Sequence, residues 1–141
     1  MKNFSYEIGK VEQTLGKHRE HRFIIVKEEN KLIYYAMART EGGEPHHDDI
    51  ARRYGYFFFE DKCVGGGVAE FSELPSEKNI LFFYGTSKSC GGAVPWEIML
   101  NFEDLLLETY KKIDPSIEYV KILTEDSNEF LDKWLERFGK V

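Results

Sequence analysis

Cysteine is scarce in this chain: Cys63 and Cys90 are its two cysteines among 141 residues, too few for a disulfide framework and without a CxxC metal spacing. Both are expected to be buried structural thiols in a reducing compartment. Long apolar runs are absent, since nowhere do the about 18 consecutive apolar residues of a membrane span occur. The segment Met1-Lys2-Asn3-Phe4-Ser5-Tyr6-Glu7 lacks the basic start and apolar stretch of a signal peptide. A cytoplasmic protein with no membrane partner is therefore expected. Basic charge is in deficit, with 19 Lys and Arg against 25 Asp and Glu for a net charge of −6. No basic tract exceeds the pairs Arg52-Arg53 and Lys111-Lys112, so a nucleic-acid partner is not expected and any anion site has to be local. Proline is sparse and scattered: Pro45, Pro75, Pro95 and Pro115 stand where elements would end, and no linker, repeat or low-complexity stretch is visible.

What is present is apolar material for one core. At 42% hydrophobic and 15% aromatic residues, a chain of this length reads as one domain over residues 1–141, with a helical extension at 126–139. Residues 22–27 (RFIIVK) and 32–39 (LIYYAMAR) flank a polar turn and predict a hairpin. Pro45 followed by Asp48 and Asp49 predicts a short helix near residues 50–54 with His47 at its N-terminus. The apolar residues 56–59 (YFFF), the Cys63-Val64 pair and the stretch from Val68 to Phe71 around Gly65-Gly66-Gly67 predict two strands with a tight bend, and ILFFY at 80–84 a buried strand. From Pro95, the positions Ile98, Phe102, Leu105, Leu106 and Ile113 keep helical spacing until Asp114-Pro115 ends it. Residues 117–123 read as a strand, and Phe130, Leu131, Trp134, Leu135 and Phe138 as one face of a last helix. The fold class expected is α+β: a single mixed sheet of about five to six strands packed with helices, one long helix after the Gly-rich loop and an extra one at the C-terminus.

Two segments carry candidate chemistry. The stretch from Tyr84 to Pro95 leaves a buried strand and enters a helix through Gly, Ser and Thr, so backbone N–H groups, the hydroxyls of Thr86, Ser87 and Ser89 and the Lys88 cation can converge on an anion such as phosphate. It is not a Walker A loop, because Ser87 stands where that motif has the glycine before its Lys-Ser pair. Neither cysteine opens a Cys-x5-Arg phosphatase loop, since Ala69 and Trp96 occupy the arginine positions. The second segment, His46-His47-Asp48-Asp49, has the residue types for acid–base work, nucleophilic attack or metal binding. A helix N-terminus disfavours the imidazolium, while the neighbouring carboxylates favour it.

Taken in order, His46-His47-Asp48-Asp49-Ile50, Gly65-Gly66-Gly67 and Tyr84-Gly85-Thr86-Ser87-Lys88-Ser89-Cys90-Gly91 resemble the three signature blocks of the Janus/Ocnus family of protein histidine phosphatases. The likeness spans roughly residues 22 to 123. It implies a phosphohistidine phosphatase in which His47 is the catalytic histidine and Asp49 and Ile50 complete its block. It implies further that Ser87 binds phosphate and that Lys88 and Ser89 present backbone N–H groups to it. Arg39, eight residues before His47, and Arg22, in place of a lysine on the first strand, stand where the family has basic residues near the site. Val68 replaces the arginine that follows the triple glycine in animal members, and Lys88 adds a cation in the loop.

The reaction so implied is hydrolysis of the P–N bond of a phosphohistidine protein or peptide, without metal or other cofactor. His47 either deprotonates the attacking water or attacks phosphorus itself, while the loop, with Arg39 and Arg22, holds the phosphoryl oxygens. Two alternatives from other classes stay open at this stage: a non-catalytic phosphoprotein-binding module and a metal-dependent hydrolase built on the His/Asp cluster.

Overall fold

The structure, a computed structural model, describes residues 4–12, 20–38, 47–56, 62–72, 80–85, 93–123 and 128–139. Within these, six strands, β1 (Ser5–Val11), β2 (Glu20–Glu28), β3 (Lys31–Ala38), β4 (Cys63–Phe71), β5 (Ile80–Gly85) and β6 (Tyr119–Leu123), form one mixed sheet in the order β1-β3-β2-β4-β5-β6. The fold is α+β, with helices on the sheet's two faces and one of them at the C-terminal end.

The β-branched and aromatic runs form the expected antiparallel hairpin of β2 and β3, and Glu29 turns it in the left-handed region at φ 56°. β1 pairs in parallel with β3 and was not expected. Its Tyr6, Ile8 and Val11 are only half-buried at the sheet edge, and a register shift between Ile8 and Lys10 breaks the alternation that marks a strand. The bend expected at the triple glycine is absent, since Cys63 to Phe71 form one continuous strand, β4, pairing with β2 on one side and β5 on the other, while residues 57–59 of the expected strands lie outside the described residues. Gly66 within it serves close packing, not a turn.

Alternation sorts the side chains of β2 onto two layers. Phe23 and Ile25 join the larger core, where the sheet packs on α2 (Trp96–Met99), a 3₁₀ turn (Leu100–Phe102), α3 (Glu103–Ile113) and α4 (Asn128–Phe138). Ile24 and Val26 join Ile33 and Cys63 in a smaller cluster beneath α1 (His47–Arg53). The expected long helix after Pro95 is thus divided by a 3₁₀ turn. The side-chain amide of Asn101 donates to the carbonyl of Glu97 at 2.8 Å, competing for the acceptor that an α-helical ladder would use. α4 buries Trp134 and Phe138, and the Trp134 indole N–H donates to the Val64 carbonyl at 3.0 Å, so the tryptophan docks without an orphaned donor. No helix among the described residues is long and apolar enough to cross a membrane.

Candidate functional site

α1 starts at His47, as its charge pattern predicts: Asp48 and Asp49 lie in the first turn and Arg52 and Arg53 in the last, each complementing the helix dipole. Ile50 and Ala51 anchor the helix on the sheet. Its far end is tied to the end of β1, where Glu12 accepts from Arg53 Nε at 3.0 Å and from the Tyr54 hydroxyl at 2.9 Å. The Tyr54 ring stacks on Tyr35, with centroids 4.6 Å apart. The Tyr54 bond, more than the Arg53 cation, draws the Glu12 carboxyl below its ordinary range. Burial, aided by Glu12, pushes Tyr54 up to about 12. These contacts fix the middle and the C-terminal end of α1 against the sheet.

His47 is 3% exposed, an unusual degree of burial for an imidazole at the first position of a helix. Its Nε2 lies 3.1 Å from the carbonyl oxygen of Gly67. The ring covers the neighbouring Gly66, where a Cβ would come within 2.9 Å of His47 Cδ2 and 2.8 Å of the Phe23 carbonyl oxygen. The first and second sequence blocks therefore meet in space. Arg22 joins them through register. Gly66 pairs with Ile24 and Val68 with Arg22, so the guanidinium stem of Arg22 rises from the same face of the sheet, two residues or about 7 Å further along β2. Its immediate cross-strand neighbours are Val68 and Met37. An imidazole and a guanidinium on one face, with apolar neighbours, suit binding and transfer of a charged group.

Ser87, Lys88, Ser89 and Arg39, with His46 and Thr86, lie outside the described residues. Asp49 does not extend the His47 group. It is about 200° round the helix from His47, is half-exposed and pairs with Arg52 on α1 itself. Cys63 differs from its expected state: it is disulfide-bonded, and the chain's other cysteine, Cys90, lies outside the described residues. The thiol argument for a reducing compartment therefore falls away. No three His, Cys, Asp or Glu side chains are grouped to hold a metal among the described residues.

Two features of this region had no direct sequence signal. The Gly67 carbonyl is one, a backbone acceptor whose only mark in the sequence is the glycine run around it. The other lies on the opposite face of β2, where the neighbour of Arg22, His21, is fully buried and bonded through Nδ1 to the Tyr110 hydroxyl at 3.0 Å, which in turn meets the Tyr34 hydroxyl at 2.9 Å. No family model matches the chain, and neither does any curated protein or solved structure.

Proposed function

We propose that the chain is a protein histidine phosphatase that hydrolyses the P–N bond of phosphohistidine, with His47 at its centre. The observation that carries this reading is the buried imidazole of His47 seated on the triple-glycine segment with Arg22 on the same face. A guanidinium is suited to the oxygens of a phosphoryl group, and a held imidazole to the proton or phosphorus beside it. The order of the three sequence blocks supplies the phosphoryl chemistry, with Ser87, Lys88 and Ser89 assigned to the phosphate and Arg39 as a further cation.

In the hydrolysis the bond from phosphorus to the substrate imidazole breaks, a bond to a water oxygen forms, and the leaving imidazole departs with a proton. As a general base, His47 accepts the water proton. As a nucleophile, it takes the phosphoryl group and passes it to water in a second step. Rapid quenching of turnover with a labelled phosphohistidine peptide separates the two, because only the second route leaves phosphorus on the protein.

Phosphate release from that peptide, for wild type and His47→Ala with and without chelator, tests the proposal. Loss of at least about 10²-fold in His47→Ala is expected, with a cooperative unfolding transition retained and no effect of chelator. Near-normal release by the variant would remove His47 from the reaction. Release that vanishes with chelator and returns with a divalent metal would move the chain to a metal-dependent class, and tight peptide binding without release would make it a binding module.

A further inference from the structure

We propose that Val68 is the specificity-determining residue of the His47 site, an apolar platform on which the imidazole ring of the substrate's phosphohistidine lies as it departs. The proposal rests on the phosphatase reading of that site and deepens it. On β4, Gly66 is buried and Val68 half-buried; on β2, Ile24 is buried and Arg22 half-buried. The sheet face therefore emerges from beneath α1 at the paired residues Arg22 and Val68. A substrate that reaches the His47 ring has to lie along this pair. Met37, on the other side of Arg22, leans on the apolar cluster under α1. Val68 belongs to neither core cluster among the described residues, so its methyl groups are not claimed by the core.

Charge decides which part of the substrate goes where. The phosphoryl group is anionic and is drawn to the Arg22 guanidinium. One row further out, Glu20 pairs with Glu70 across β2 and β4, and two carboxylates side by side repel it. What is left for Val68 is the substrate's imidazole. Val68 stands across from Arg22 at about 5 Å and about 7 Å along β4 from Gly66, the residue the His47 ring covers. With His47 on one side of phosphorus and the ring on the other, this spacing suits an in-line displacement. The new bond to phosphorus forms on the His47 side. The P–N bond breaks on the Val68 side, its electron pair goes to the ring nitrogen, and the ring, protonated on its other nitrogen, leaves as neutral imidazole. Packing one face of that ring on two methyl groups removes apolar surface from water. A phosphoramidate ion, whose leaving group is ammonia, has no carbon to lay there.

Phosphate release from a phosphohistidine peptide and from phosphoramidate, each corrected for its rate without protein, is measured for wild type, Val68→Ala and Val68→Ile. In Val68→Ala the preference for the peptide, taken as the ratio of the two kcat/KM values, is expected to fall about 10-fold, the worth of two buried methyl groups. Val68→Ile, which keeps an apolar surface, is expected to retain the preference. Equal losses on both substrates in Val68→Ala would make Val68 a structural residue only and overturn the proposal. A second measurement needs no turnover and no variant. N-(phosphonomethyl)imidazole, whose P–C bond resists hydrolysis, is expected to show magnetic cross-relaxation between its ring protons and the Val68 methyl groups of the wild-type protein. Bound analogue without that contact would overturn the platform, whether or not Val68→Ala folds. The contact without release from either substrate would fail the phosphatase reading alone and leave a ring-binding module. Neither binding nor release would overturn both.

Discussion

Replacing Tyr110 by Phe removes one oxygen atom and two hydrogen bonds from a fully buried position. Burial pushes both phenols above their ordinary value of 10, and the contact between them then raises Tyr34 further while lowering Tyr110. The Tyr34 hydroxyl, the Tyr110 hydroxyl and His21 Nδ1 are linked in one chain with bonds of 2.9 and 3.0 Å. In Tyr110→Phe the Tyr34 hydroxyl and His21 Nδ1 each lose that partner in the core. A buried group that loses its partner costs about 1–3 kcal/mol, so two together give roughly 2–4 kcal/mol after local relaxation. Tyr34→Phe breaks one bond and leaves the Tyr110 hydroxyl engaged with His21, for about 1 kcal/mol.

These values make the pair non-additive. In the double variant Tyr34→Phe with Tyr110→Phe, the stranded Tyr34 hydroxyl is gone, so the total falls below the sum of the single changes by about 1 kcal/mol or more. Urea unfolding of the four proteins measures this, with stability taken from the midpoints at a common slope. Wild-type stability of Tyr110→Phe to within about 0.5 kcal/mol, or strict additivity, would show that the three groups do not act as a chain.

The same phenols set the alkaline limit. Tyr34, Tyr54 and Tyr110 all hold their protons more tightly than the ordinary value of 10, Tyr54 up to about 12, so the stability they contribute is fully present below pH 10 and is lost as pH rises above it. Tyr54→Phe is expected to flatten this loss in midpoints measured across that window. Trp134→Ala is expected to cost about 3–5 kcal/mol in urea unfolding, because α4 is docked through that side chain; a change below about 1 kcal/mol would mean that α4 does not share the core. Val68→Arg sets a second guanidinium directly across from Arg22 and is expected to destabilise by up to about 1 kcal/mol in phosphate-free buffer. Added inorganic phosphate is expected to shrink that difference, and an equal loss in both buffers would mean that no anion is shared by the two positions.

Local signals made much of the framework legible, and they failed where tertiary contact decided the outcome. The hairpin, α1 and α4 were readable because their apolar spacing and charge placement agree with the packing they adopt. The start of α1 at His47 followed from Pro45 and the Asp48-Asp49 pair. Asn101 was not readable as a break in the helix, since its effect depends on a side-chain rotamer that reaches the Glu97 carbonyl. The triple glycine was misread as a bend because a turn and a close approach by another side chain demand the same residue. Which applies is decided by the His47 ring, brought over from a different element. The His21–Tyr110 bond joins residues 89 apart, and neither residue alone distinguishes a core role from a site role.

Register is what separates those two roles. His21 and Arg22 are neighbours on β2, yet one faces the tyrosines of the core and the other the His47 face. A one-residue slip in the pairing with β4 would exchange them, burying a guanidinium among aromatic rings, at a cost the fold could not absorb. The irregularity in that pairing sharpens the assignment. Cys63 and Gly66 both lie on the α1 face although they are three residues apart, which regular alternation forbids. The shift between Ile25 and Val26 skips Val64 and resets the parity of β4. Without it, a strand that kept Cys63 beneath α1 would bring Gly65 and Gly67 to that face and turn Gly66 toward the core. The β-bulge therefore selects which member of the glycine run receives the imidazole and which side chain, Val68, stands opposite Arg22.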